Sequence, residues 1–291
     1  MQQRLRQFTV LLGMSLALCL ASGCRQEALP ANPALWQVDG PKGERGWLFG
    51  TIHSATQPLD WKTAPVARAL DQADEIVVEV GNIADDAKVS ATFSALARSK
   101  GEPALSQRIT PGLRPALTTL LEQAGYSDDS FGAMDTWAAA LTLARNSGEN
   151  GDPANGVDRA VIALAGSRPV VELEGATRQL EIFDGLPESE QRDLLAAVVR
   201  EASQPQRDLA ASWRKGDMDA IASETRKGML ADPELRAALF TGRNTRWASR
   251  IAGLLAGGHK PFVAVGAAHM AGPDGLPALL HAKGYEVTRI E

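Results

Sequence analysis

Pro261-Phe262-Val263-Ala264-Val265-Gly266-Ala267-Ala268-His269 is an apolar run that ends in Gly-x-x-His. Near the other end of the chain, Gly46-Trp47-Leu48-Phe49-Gly50-Thr51-Ile52-His53 repeats the pattern. Short apolar runs bounded by glycine read as buried strands. Four more runs share that character: Leu35–Val38, Glu75–Val80, Arg168–Leu173 and Tyr285–Ile290. Between them lie Ala- and Leu-rich segments with helical spacing, at 66–73, 113–124, 133–145, 157–165, 188–202, 233–256 and 276–283. Strands separated by helices predict an α/β fold with a mostly parallel central sheet flanked by helices. The stretches 84–155 and 180–245 are almost wholly helical in pattern. They predict a helical insert or cap within a single domain, because no long linker sets them apart.

In open parallel sheets, binding sites gather at the carboxyl ends of the strands. Four of the runs end in a group able to ligate or to move a proton: His53, Glu79, Glu174 and His269. If these strands are parallel neighbours, all four converge on one edge. Gly50 and Gly266 allow a sharp exit from the strand and close backbone approach. Two imidazoles with one or two carboxylates match a divalent metal site of Zn, Mn or Co type with an open position for water. Each residue also has a plain reading. A histidine after a strand can be a hydrogen-bonded structural residue, Glu79 a solvent-facing strand end, and Glu174 an anion at a helix start. Glu172 shares a strand face with Glu174, so either can point into a cleft. The chain has four histidines, and two fall in one tetrapeptide pattern after an apolar strand, which favours function. His259, in a Gly-Gly-His-Lys loop, and His281, on a terminal helix, read as solvated surface residues.

The first 23 residues read as a lipoprotein signal peptide. Arg4 and Arg6 precede an apolar run of about 14 residues, short of the roughly 20 that span a membrane. Small residues then lead to Cys24, the expected lipidation site, with an ordinary secretory signal as the alternative. Residues 24–34 read as a polar tether and 35–291 as the α/β domain. The second cysteine, Cys19, lies in the leader, so the mature chain has neither a disulfide nor a cysteine zinc site. Loss of the leader takes the formal charge from −5 to −7. That acidity does not favour nucleic acid. The expected place is the bacterial envelope, lipid-anchored and facing the periplasm, or secreted into it. There is no HExxH, no GxSxG elbow and no phosphate-binding GxxxxGK[ST].

The strings LFGTIHS, EIVVEV, NGVDRAVIALAGSRPVVELEGATRQLEIFDGLP, TGRNTRWASRIAGLL and FVAVGAAHMAGPDGLPALLHAKGYEVTRI resemble the TraB/GumN family in content and order. That family is similar to the Wnt-cleaving TIKI ectodomains, which act as metal-dependent proteases. It is more distantly similar to erythromycin esterases and ChaN-like haem-binding proteins. The resemblance implies a metal-dependent hydrolase, most plausibly a peptidase, acting on a peptide or small molecule. His53 and His269 would hold the metal with Glu79 or Glu174 as third ligand, and the other glutamate would serve as base. Arg243 would stabilise an oxyanion or, alternatively, hold a helix by a salt bridge. Asn244 would orient a ligand or cap a turn. Asp158 also fits the family pattern, against a plain reading as a charge in a helix's first turn. A metal-independent esterase-like hydrolase with a histidine base is one alternative. A non-catalytic lipoprotein that binds haem or metal, with Met270 beside His269, is another.

Overall fold

The computed structural model describes residues 27–81, 86–99, 101–147, 151–204 and 209–291. The leader, Cys24 and the start of the tether lie outside them. In chain order the strands are β1 (Leu29–Pro30), β2 (Leu35–Asp39), β3 (Arg45–Thr51), β4 (Leu59–Asp60), β5 (Glu75–Val78), β6 (Val170–Glu172), β7 (Pro261–Gly266) and β8 (Glu286–Arg289). Six of them form one sheet, ordered β6-β5-β7-β3-β2-β8. Strand β2 is antiparallel to β3 and β8, while β3, β7, β5 and β6 pair in parallel. This is the expected mostly parallel sheet, and each of the six apolar runs supplies one of its strands. The reversal at β2 follows from its tight connection to β3, where Gly43 takes a positive φ of 88° that glycine adopts without strain.

Strand β3 is buried from Gly46 to Thr51, as a central parallel strand covered on both faces must be. Alternate residues supply two cores. Trp47, Phe49 and Phe262 pack with Val66 and Leu70 of the Ala64–Gln72 helix and Val161 of the Val157–Ala163 helix. Leu48, Val263 and Val265 pack on the other side against Trp247, Ile251 and Leu255 of the Gly242–Ala256 helix. A third cluster, including Leu117, Phe131, Trp137, Leu194 and Leu235, is built from the helical insert alone. The cap therefore has its own packed interior and still belongs to the single α/β domain.

Two local expectations change. Residues 29–34 belong to the folded body: β1 pairs with β4, and Ala31 and Ala34 are buried. Two-residue strands leave no periodicity to read. The long helix expected over 233–256 is interrupted by a π-helical turn at Ala237–Thr241. A Cβ on Gly242 would lie 2.6 Å from the Ala237 carbonyl oxygen, so the side-chain-free residue accommodates the wider turn. A π turn changes the facing of the residues just after it, and here those residues are Arg243 and Asn244.

Candidate active site

The β3–β7 register sets Gly50 opposite Val265 and Thr51 opposite Gly266. Both Gly-x-x-His segments therefore leave the sheet side by side. A Cβ on Gly50 would sit 2.9 Å from Ala267 Cα, so glycine is required here for close approach. The Trp213 indole N–H donates to the Gly50 carbonyl at 2.8 Å and fixes the exit of β3.

His269 is buried in the short turn after β7. Its ring is 5.3 Å from Phe240 and 4.6 Å from Trp247. Asn244, fully buried, donates its amide N–H to the Asp274 carbonyl at 2.7 Å. The amide oxygen then faces His269 Nδ1 at 2.5 Å. An amide oxygen only accepts, so Nδ1 carries the proton and Nε2 holds the lone pair. Asn244 thus holds the Pro273–Asp274 turn, as its plain reading expected, and in addition orients a histidine. Burial drives the His269 pKa down to about 4, so the ring is neutral at pH 7.

Arg243 is the hub. Its Nη2 donates to Glu79 at 2.9 Å and its Nε to Glu174 at 3.0 Å. Its Nη1 meets the Leu239 carbonyl at 3.2 Å and His269 Nε2 at 3.5 Å. Among the described residues this commits four of the five guanidinium N–H groups and leaves one on Nη2. Arg243 thus forms ion pairs with two carboxylates, which leaves its expected oxyanion role untested. Glu174, 3% exposed at the side chain, is the member of the 172/174 pair that enters this network; Glu172 instead accepts from the Gly81 N–H at 2.7 Å. Glu79 also accepts from the Gly266 N–H at 2.8 Å. Burial alone would raise its pKa, but His269, Arg243, that N–H and His53 outweigh it and hold the carboxyl below its ordinary value.

His53 stands on the open rim, its side chain 74% exposed. Its Nδ1 lies 2.6 Å from Asp158 Oδ2, in the first turn of the Val157–Ala163 helix. That helix docks through the Val157 N–H donating to the Ile52 carbonyl at 2.8 Å. A Cβ on Gly156 would lie 2.4 Å from the His53 carbonyl oxygen, so Gly156 permits the approach. The Asp158 hydrogen bond raises the His53 pKa against the opposing effect of burial, with Glu79 adding to the rise. Asp158, read from sequence chiefly as a helix-start charge, is the candidate-site residue given too little weight there. Its partner is 105 positions away; the family pattern was the one available signal.

The four strand-end groups thus share one edge, where Glu79 and Arg243 act on the titration of His53 and His269, and both histidines and Arg243 act on that of Glu79. The metal set expected from the sequence is not assembled. Among the described residues, the groups of three metal-ligating side chains with atoms within 4.8 Å are Asp74/Glu75/His259 and Glu190/Asp232/Glu234. His53, Glu79 and His269 do not form such a group, and Arg243 already faces His269 Nε2. Met270 is buried in the second sheet core, which removes it from the cleft that a haem ligand would need.

Sheet order and edge together define an α/β protein in which a buried Glu–Arg–Glu network sits beside two strand-end histidines. The chain matches the TraB/PrgY/gumN family model over residues 34–289, and it belongs to that family. It is 24% identical over 265 residues to uncharacterized protein YbaP of Shigella flexneri, covering 87% of this chain and 95% of that relative. Uncharacterized protein YbaP of Escherichia coli K12 matches to the same extent. No solved structure matches the chain.

Proposed function

We propose that the chain is a hydrolase of a peptide or small carbonyl substrate, with His53 as general base and Asp158 as the residue that holds it. The observation that carries this reading is the 2.6 Å contact between His53 Nδ1 and Asp158. It puts the proton on Nδ1 and presents an unprotonated Nε2 on the exposed rim. The same logic orients the base in Asp-His pairs of other hydrolases. Neutral His53 takes a proton from water as that water attacks the carbonyl carbon, then returns it to the leaving group. The free Nη2 hydrogen of Arg243 donates to the oxyanion that forms, and the Glu79 and Glu174 carboxylates hold the guanidinium in place for it. Two open grooves involve the segments that carry Arg243 and Glu174. One of about 610 Å³ includes Arg178, Ile182, Leu186 and Arg246; the other includes Val170, Glu174 and Arg250. Neither is lined by His53 or His269, so the substrate's reacting end would extend from a groove to the rim.

The test is the pH profile of kcat/KM on p-nitrophenyl esters and fluorogenic peptides, for wild type and Asp158→Asn. Activity should rise as His53 deprotonates, with an apparent pKa above 6.5. Asp158→Asn should move that limb to lower pH and cut the rate at least about tenfold. An unmoved limb rejects His53–Asp158 as the base.

The second reading is a metal-dependent hydrolase, with a divalent Zn, Mn or Co type ion held by His53, His269 and Glu79. It draws on the fact that both imidazoles are anchored through Nδ1, as metal-ligating histidines are. The side chains as arranged do not fit it, because they gather no three-donor group and Arg243 faces His269 Nε2. Metal loss that abolishes turnover would favour it.

The proposed location is the bacterial envelope, lipid-anchored through Cys24 and facing the periplasm. Support comes from the leader pattern; no helix among the described residues is long and apolar enough to cross a membrane. Cys24→Ser should move the protein from the membrane to the soluble fraction.

A further inference from the structure

At the opposite end of the sheet, β5 begins at Glu75 directly beside Pro261, the first residue of β7. The chain is pinned there by a reciprocal pair: the Lys260 N–H donates to Asp74 Oδ1 at 2.8 Å, and the Asp74 N–H to the Lys260 carbonyl at 3.1 Å. Asp74, Glu75 and His259 consequently bring one ligand atom each to within 4.8 Å of the others. Gly258, at φ 86°, turns the loop so that His259 faces Glu75, with Nδ1 3.3 Å from Oε2.

The carboxylate of Glu75 is the unusual member. Its side chain is only 5% exposed, and Oε1 has no hydrogen-bond partner among the described residues. A buried carboxylate oxygen without a partner is costly, and its carboxylate already points at His259. A surface ion pair explains one oxygen and leaves the other unused. Asp74 and the His259 ring are exposed at the outer side, so an ion has a way in. One imidazole and two carboxylates at this spacing suit a first-row divalent ion completed by water.

We propose that Asp74, Glu75 and His259 form a separate binding site for a first-row divalent metal ion such as Zn²⁺, which clamps the starts of β5 and β7 together. The site does not depend on the catalytic reading. It lies at the amino ends of the strands whose carboxyl ends carry Glu79 and His269.

Isothermal titration with ZnCl₂, paired with thermal unfolding with and without Zn²⁺, tests it on the purified full chain. Wild type is compared with Asp74→Asn/His259→Ala, and each also carries His53→Ala/His269→Ala in a second pair. Asp74→Asn/His259→Ala should weaken Zn²⁺ binding at least tenfold and abolish the Zn²⁺-induced rise in Tm in both backgrounds, and leave hydrolytic activity unchanged where His53 and His269 are intact. Glu75→Gln should do the same where it folds; the surface double variant carries the test if it does not. Absence of Zn²⁺ binding to wild type, or an unchanged isotherm in Asp74→Asn/His259→Ala, overturns the proposal.

Discussion

His269 gives a sharp stability prediction. Its pKa falls from 6.5 to about 4 because burial between Phe240 and Trp247 penalises the imidazolium. In the unfolded chain the ring binds a proton near pH 6.5, and in the native protein it does not until about pH 4. Between those values the unfolded state holds more protons, so stability falls as pH falls. The effect is small at pH 7, about 2 kcal/mol at pH 4.5, and about 3 kcal/mol once pH lies well below 4. Urea unfolding at pH 7.0 and 4.5 measures it directly. Other acid-titrating groups, Glu79 included, also lose stability on acidification, so the informative quantity is the difference between wild type and His269→Gln. The amide of glutamine can still donate toward Asn244 but does not titrate. Wild type should lose about 2 kcal/mol more than His269→Gln over this interval. Parallel losses, within about 0.5 kcal/mol, would refute the assignment of a buried neutral ring.

Replacing Arg243 with Met should leave Glu79 buried without its cation and Glu174 with only the half-exposed Arg246 at 3.6 Å, a loss of about 3–5 kcal/mol in denaturant unfolding. The apparent pKa of Glu79, followed by carboxyl NMR titration, should rise in the same variant. At Gly50, alanine puts a Cβ 2.9 Å from Ala267 Cα, which should cost about 1–3 kcal/mol and shift the His269 ring signals. Wild-type stability from either substitution would contradict the packing described.

Six strands could be read from the chain because each is an apolar run bounded by Gly, Pro or polar residues, and burial on both faces requires that composition. The convergence of His53, Glu79, Glu174 and His269 followed from strand ends in a parallel sheet. Pairing across distance could not be read. Nothing local to Asp158 announces His53 as its partner. Nothing near Asn244 indicates that its amide fixes the tautomer of His269, or that a π turn just before it sets its facing. The family resemblance pointed to Arg243, but not to the commitment of its donors, which depends on two carboxylates at the ends of other strands. The β1–β4 ladder was invisible because two residues carry no period.

The proposed hydrolysis of carbonyl substrates through the His53–Asp158 pair is best tested by turnover of p-nitrophenyl esters and fluorogenic peptides. The protein is stripped of metal, elemental analysis is run on the same sample, and His53→Gln is assayed beside it. Turnover should survive stripping and fall at least about 100-fold in His53→Gln. Turnover that disappears on stripping and returns with added Zn²⁺ or Mn²⁺ would show that a metal ion, and not the histidine pair alone, drives the reaction.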